Sequence, residues 1–225
     1  MTYYISLWCV ANRKNMEEKK ISEQESLDLI SQMIEQTKRD SSIGSGDTFL
    51  VWGYIGVIVS LCALLVPRFY GGGYQGWVFV AIPVLAFAIT YIMDARKKKK
   101  SIAPATYTTK SINSIWKTIV FVLLGYPVLC LMQGDDHPEG WTGMFMLCML
   151  LPGIGTYCTG LIMKESPVKF CGQFAIIFAC CDLLYICKSG PVIQTGQIIA
   201  MCLCMVVALV IPGHYLNRKS KKLNA

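Results

Sequence analysis

The sequence predicts an all-α membrane protein, a six-transmembrane-helix bundle with a short N-terminal cytoplasmic amphipathic helix. Hydrophobic residues make up 54% of the 225 residues and charged residues only 16%, whereas soluble globular domains carry about 25% charged residues. The apolar residues form long runs, and basic clusters lie between these runs. This pattern is typical of helices in lipid, because a span needs about 20 apolar residues to cross a hydrocarbon core of about 30 Å.

The predicted organisation has four parts along the chain. They are a non-native or disordered extension at 1–15, a cytoplasmic helix and linker at 16–46, the membrane domain at 47–214 and a basic cytoplasmic tail at 215–225. The apolar stretch within 1–15 is too short to span a bilayer and lacks the charge pattern of a signal peptide. We therefore expect Met16, rather than Met1, to be the native start.

Residues 22–39 are predicted to form one amphipathic helix, which Ser22 and Glu25 would begin as a capping box. Its apolar stripe, at three- and four-residue spacing, consists of Leu27, Ile30, Met33 and Ile34. Residues 16–40 contain seven acidic and four basic residues, which disfavours anchoring on an anionic membrane surface. The stripe is therefore interpreted as a face for protein: a second copy, a cytosolic partner or this chain's own basic loop.

Six apolar runs follow the linker. They are 48–66, 76–93, 112–133, 141–163, 168–187 and 191–214. The fourth and sixth are the clearest, and the fifth is the weakest because Asp182 interrupts it. Lys and Arg near the span ends predict the orientation, since cytoplasmic loops are enriched in them. Eighteen lie on one predicted side and two on the other, so we expect a multi-pass membrane protein with both termini in the cytoplasm.

Asp182 is the first candidate site residue, because an ionisable side chain within a span indicates function by default. Lys117 in the third run is the obvious partner, but it lies about nine residues from the depth of Asp182. At 1.5 Å per residue this offset is roughly 13 Å, too long for an ion pair. Asp182 is predicted either to handle a proton or cation or to hydrogen-bond to neighbouring helices.

The fourth run contains a second candidate site, formed by Pro152, Gly153, Gly155 and Tyr157. Proline within a helix removes a backbone donor and kinks it, and broken helices at mid-membrane line substrate sites in many transporters. Glycines also allow helices to approach closely. The same residues therefore suit either a transport site or helix packing, and packing is the favoured interpretation.

Several function classes are disfavoured by what the sequence lacks. It contains no GxSxG, HExxH or phosphate-loop motif, and its two histidines lie at span edges, so an enzyme is not expected. No cysteine spacing matches a metal site, and we expect neither a metal nor a cofactor. The basic clusters abut apolar runs, which argues against nucleic acid as a partner.

Three stretches carry a resemblance to a known group of proteins: residues 25–38 before Phe49–Gly53, Thr159–Lys164 before a proline, and Ile211–Leu216. In this arrangement the chain resembles small six-span inner-membrane proteins of Bacteroidetes. The resemblance implies a bacterial inner membrane and a start near Met16, and it brings no active site with it.

Two functions are consistent with these features. The favoured hypothesis is a regulatory or scaffold protein that recruits a partner through residues 22–39. The alternative is a small transporter or ion-coupled carrier that uses Asp182 and the kinked fourth span.

Overall fold

The structure is a computed structural model that describes residues 24, 26–33, 45–70, 75–100, 107–133, 138–190 and 193–223. These residues are helical apart from short turns, and there is no strand among them. The all-α prediction is thus confirmed for the described part of the chain. The chain divides into two units, Met1–Lys38 and Arg39–Ala225, and each is described by itself.

In the first unit, Gln24 and residues 26–33 are helical. They fall within the predicted helix 22–39, whose other residues, including Ile34 and the expected capping pair, lie outside the described residues. Leu27 and Ile30 are 63% and 52% exposed, and Met33 is exposed as well. The described members of the apolar stripe therefore lie at the surface.

The second unit contains seven described α-helices and one π-helical turn. They are α1 (Ser45–Tyr70), α2 (Gln75–Lys100), α3 (Tyr107–Gln133), α4 (Pro138–Ile162), α5 (Ser166–Ser189), α6 (Thr195–Met205), the π turn (Val206–Val210) and α7 (Ile211–Leu223). The last three are continuous. The first five predicted apolar runs each lie in one of α1 to α5, and the sixth extends through α6 and the π turn into α7.

Five helical stretches among the described residues are long and apolar enough to cross a membrane. They are Gly46–Leu65, Tyr107–Met132, Gly140–Ile162, Ser166–Lys188 and Thr195–Lys222. The α5 stretch qualifies despite Asp182, which therefore does not shorten it. The apolar part of α2, Val78–Met93, is shorter, roughly 24 Å at 1.5 Å per residue. The described chain thus fits a multi-pass membrane bundle.

The core lies between the helices and is filled by aromatic and sulfur-containing side chains. The largest fully buried residues include Phe49 on α1, Phe79 on α2, and Met144, Phe145 and Met149 on α4. Phe79 and Phe145 meet edge to face, with ring centroids 5.1 Å apart. Apolar side chains remain exposed around the outside of the bundle, as expected where lipid replaces water.

Small residues set the pairing of α4 with α5. A Cβ atom added to Gly160 would lie 2.6 Å from the Lys169 amide nitrogen, and one added to Gly153 would lie 3.2 Å from the Ile176 amide nitrogen. Helices in lipid associate through such close packing, because lipid provides no hydrophobic drive between them. The close α4–α5 contact therefore depends on glycine at these two positions, where a larger residue would not fit.

Two tryptophans tie helices together within the bundle. The indole N–H of Trp52 on α1 donates to Thr90 Oγ1 on α2 at 3.1 Å, and that of Trp116 on α3 donates to Thr159 Oγ1 on α4 at 3.2 Å. The two indole rings lie 5.9 Å apart. Each large ring thus packs between helices while its polar N–H is satisfied by a threonine.

Candidate functional site

Asp182 lies in the second half of α5, on the side of the helix that meets α6. Its carboxylate interacts with the side-chain amide of Gln197. Its Oδ2 atom is buried and has no hydrogen-bond partner among the described residues. The described residues also form no ion pair with Asp182.

Gln197 is the third residue of α6 and is 4% exposed. Its Oε1 atom accepts a hydrogen bond from the Gln194 backbone N–H at 2.7 Å. This bond fixes the orientation of the amide, because a backbone N–H can only donate and must therefore meet the oxygen. The Nε2 donor is left buried and without a partner in the described part of the chain.

A line of polar groups continues from Gln197 towards the end of the bundle. The exposed Tyr185 hydroxyl on α5 donates to the Gln194 side-chain oxygen at 2.8 Å. On the opposite flank, the Cys204 thiol interacts electrostatically with Asp182 and donates to the Ala175 carbonyl at 3.9 Å. The site thus offers one carboxylate acceptor and one fixed amide donor in an otherwise apolar setting.

The structure does not bring the α4 candidates into this site. Gly153 packs against Ala175 and Ile176 of α5, and Gly172 of α5 packs against the backbone of Tyr157. In this antiparallel register Asp182 is six residues beyond the level of Gly153, roughly 9 Å along the helix axis. Asp182 and the Pro152–Tyr157 segment are therefore two separate features.

Within that α4 segment, Pro152 is buried and α4 continues through it. A Cβ atom on Gly155 would lie 2.6 Å from Ile119 Cδ1 and 3.2 Å from the Trp116 ring on α3. Gly153 and Gly155 thus permit contacts with α5 and α3 respectively. The contacts described for this segment are thus contacts between helices.

Thr156, which the sequence analysis did not single out as a site residue, makes a buried contact with the π turn. Its hydroxyl donates to the Ala208 carbonyl at 2.9 Å. Pro212 has no N–H, so it cannot supply the bond that Ala208, four residues earlier, would receive in a regular helix. The bond from the Ile211 N–H to the Val206 carbonyl widens the turn at the same place. Thr156 thus replaces a backbone partner.

A second polar cluster lies at the opposite end of the bundle, where α1 begins. Asn217 Nδ2 on α7 donates to Asp47 Oδ1 on α1 at 2.8 Å. Glu165, between α4 and α5, forms an ion pair with Lys219 and accepts a hydrogen bond from the Tyr215 hydroxyl at 3.1 Å. We call these five residues the α7 clasp, because they fasten α7 to the beginning of α1 and to the α4–α5 turn.

No metal centre is apparent in the described residues. They contain no group of three His, Cys, Asp or Glu side chains that could hold a metal ion. The ten described cysteines are free thiols.

Gln197 is the site residue that the sequence analysis missed. Because Gln197 is uncharged, a search for a cationic partner of Asp182 does not find it. The depth argument that excluded Lys117 could have found it, because Gln197 lies six residues into the sixth apolar run and Asp182 about five residues from the outer end of the fifth. Two polar residues at equal depth on consecutive spans are candidates for contact.

Comparison of the chain with protein-family models, curated proteins and solved structures gives no match. The resemblance to Bacteroidetes inner-membrane proteins therefore remains an expectation. Functional argument rests on the chain's own geometry.

Proposed function

We propose that this protein is a six-span inner-membrane protein with both termini in the cytoplasm, and that it acts as a regulatory or scaffold protein. In this proposal residues 22–39 recruit a partner protein to the membrane. The proposal assigns no reaction and no cofactor to the chain.

The contacts of α2 support six spans rather than five. Phe79, near the beginning of α2, packs on Phe145 near the beginning of α4. Thr90, about eleven residues further along, accepts the hydrogen bond from Trp52 near the beginning of α1. Because α1 and α4 begin at opposite ends of the bundle, α2 runs between those ends. A short hydrophobic stretch can be accommodated by local thinning of the bilayer and by snorkelling of flanking basic residues.

The distribution of basic residues supports the orientation. The α7 clasp lies at the end of the bundle that also carries Lys164 and the basic residues of α7. Loops enriched in Lys and Arg remain in the cytoplasm. We therefore assign the clasp end to the cytoplasmic side.

The recruitment proposal rests on one observation, the exposure of Leu27 and Ile30 on the described helix of the first unit. Exposed leucine and isoleucine at helical spacing are the usual anchors of a helix that binds in a groove. The excess of acidic residues in 16–40 favours a groove bordered by basic residues, since complementary charge speeds association and excludes wrong partners. The proposed occupant is thus a cytosolic protein with a basic-rimmed apolar groove.

Photo-crosslinking in the native cells tests this proposal. A photoreactive residue at Ser31, beside the stripe, is expected to capture one cytosolic protein. The variant Ile30→Asp should lose this product. Gln32→Asp should keep it, since it adds the same charge at an exposed position on the opposite face of the helix. If the stripe variant gives the same crosslinked products as the wild type, recruitment of a cytosolic partner is contradicted. A product with the size of two copies of this chain contradicts it as well.

A second function, an ion-coupled carrier, is favoured by the unpaired Asp182 Oδ2 and Gln197 Nε2 atoms. Buried polar atoms without partners are rare, and within spans such groups mark ion and proton pathways. The test compares a deletion strain carrying wild-type protein with one carrying Asp182→Asn, across acid, alkaline, salt and toxic-compound stress. Full complementation by Asp182→Asn in every condition that affects the deletion strain would exclude this function.

A further inference from the structure

We propose that Asp182 binds a proton rather than a metal cation, and that Gln197 is the positioning residue that determines this choice. The inference rests on the second candidate function, the ion-coupled carrier. It names the ion and adds to the site a residue on another helix.

The orientation of the Gln197 side-chain amide determines which atoms the site can present to an ion. Gln197 Oε1 is already occupied by the Gln194 N–H, so the amide turns its N–H₂ donor towards Asp182. Metal cations such as Ca²⁺ require several oxygen ligands, and an N–H donor repels them. A carboxylate that faces a fixed donor is instead suited to gaining and losing a proton, because the donor stabilises its ionised state.

The second step concerns burial. Asp182 Oδ2 and Gln197 Nε2 are both buried without a hydrogen-bond partner that the described residues provide. A buried carboxylate without a cation is costly, and protonation removes the charge. The amide favours the ion, whereas the apolar setting favours the neutral acid.

Other groups around Asp182 are consistent with a single proton site. The Cys204 thiol on α6 donates to the Ala175 carbonyl, seven residues or roughly 10 Å along α5 from Asp182. On α4 the residues level with it are Leu147 and the buried Cys148, and on α5 Tyr185 and Lys188 lie towards the helix end. The π turn contributes only Val, Ala and Leu. The other carboxylate of these elements, Glu139 on α4, precedes Leu147 by eight residues, roughly 12 Å along the helix axis.

The third step concerns access. Tyr185 and Gln194 are exposed and are joined by a hydrogen bond, and Gln194 contacts Gln197 directly. This line of polar groups leads from the surface at the end of α5 to the buried pair. We therefore expect exchange with water at the α5–α6 end of the bundle, opposite the α7 clasp.

Labelling with the hydrophobic reagent dicyclohexylcarbodiimide tests the inference on the full-length protein in detergent. The reagent reacts with a protonated carboxyl group in apolar surroundings: the acid proton moves to a carbodiimide nitrogen while a carboxyl oxygen bonds to the central carbon. Mass spectrometry should find the adduct on Asp182, with a rate that falls as the pH is raised, and no adduct there in Asp182→Asn.

Two matched glutamine variants test the role of Gln197. Gln197→Leu should speed labelling about 2- to 10-fold, because the variant removes an amide donor that favours the ionised carboxylate. Gln173→Leu, at an exposed position of α5, the helix that carries Asp182, should leave the rate unchanged. An unaltered elution volume in size-exclusion chromatography shows that each variant is folded. Equal rates for the two variants would remove Gln197 from the proposal.

Cation competition separates the outcomes. If NaCl or CaCl₂ slows labelling of Asp182 relative to choline chloride of equal ionic strength, a metal cation binds and the inference is wrong. Absence of the adduct at every pH also overturns it. Normal labelling combined with full complementation by Asp182→Asn leaves the proton site intact and rejects the carrier function. If Asp182→Asn loses complementation but Asp182 is never labelled, the proton site is rejected and the carrier function stands.

Discussion

Lys164 has a φ of 56°, the one positive value among the described non-glycine residues. It follows the end of α4, where the Glu165 N–H donates to the Gly160 carbonyl at 3.0 Å and the Lys164 N–H donates to the Leu161 carbonyl at 3.2 Å. This pair of bonds is the Schellman motif, in which glycine usually takes the left-handed position. A lysine there is strained, and the turn keeps Glu165 in place for the α7 clasp.

Replacing Lys164 with glycine should therefore stabilise the protein. We expect a gain of about 1 kcal/mol, or a rise of about 2–4 °C in the midpoint of thermal unfolding in detergent. Lys164→Ala is the control, because it removes the same exposed side chain but keeps a Cβ atom. If the alanine variant gains as much as the glycine variant, backbone strain is not the cause.

The Asp182 site shows what a single sequence can indicate about function at this scale. Asp182 was recognisable, because a carboxylate within an apolar run is conspicuous. Its neighbour Gln197 was not, because contact between residues of different helices depends on how the helices rotate about their axes. The hydropathy pattern predicts how deep each residue lies in the membrane, but it does not predict the rotation of each helix about its axis.

At the scale of the elements, the π turn and α4 are joined through one hydrogen bond. Thr156→Val retains the shape of the side chain but removes the hydroxyl that donates to the Ala208 carbonyl, and should cost about 0.5–2 kcal/mol. Thr156→Ser should cost little hydrogen-bond energy, since it keeps the donor. Chemical unfolding in detergent measures both.

The dependence on Pro212 can be tested by a double-mutant cycle. Pro212→Ala restores an N–H that can bond to the Ala208 carbonyl, so Thr156→Val should cost less in that background than alone. Purely additive effects of the two substitutions would show that Thr156 does not compensate for the proline.

The close pairing of α4 and α5 yields another prediction. Gly160→Ala places a Cβ atom 2.6 Å from the Lys169 backbone nitrogen, so the helices must separate, at a cost of about 1–3 kcal/mol. Gly125→Ala on α3 is the matched control, since nothing lies within 4 Å of its added Cβ atom. Alanine also favours helix over glycine, and the control should be neutral or stabilising. Equal unfolding midpoints for the two variants would contradict this account of the interface.

The elements were largely predictable, whereas their arrangement was not. Each of α1 to α5 corresponds to one apolar run, and α6 with the π turn corresponds to the sixth, because only a helix satisfies its own backbone in lipid. Trp52 and Trp116 are an example of arrangement that hydropathy does not predict, because each ring donates a hydrogen bond to a neighbouring helix. A threonine on another helix supplies the polar contact that water would otherwise provide.

At the scale of the whole molecule, the number of spans determines where the C-terminus lies. With six spans, reporters fused before Met1 and after Ala225 should both be cytoplasmic, whereas a reporter fused after Ser189, beyond five spans, should be external. If α2 does not cross, the two termini lie on opposite sides. Paired alkaline phosphatase and fluorescent-protein fusions distinguish these topologies.

The α7 clasp has a consequence for biosynthesis. Helix α1 packs against α6, the π turn and α7, and Asp47 finds Asn217 only when α7 is present. The ribosome makes α1 before any of these three neighbours. Helix α1 must therefore wait in the bilayer, with the surface that will pack on them in contact with lipid or an insertion factor, until α7 is made. A chain whose translation stops after α5 would retain that uncovered face and become a substrate for membrane quality-control proteases.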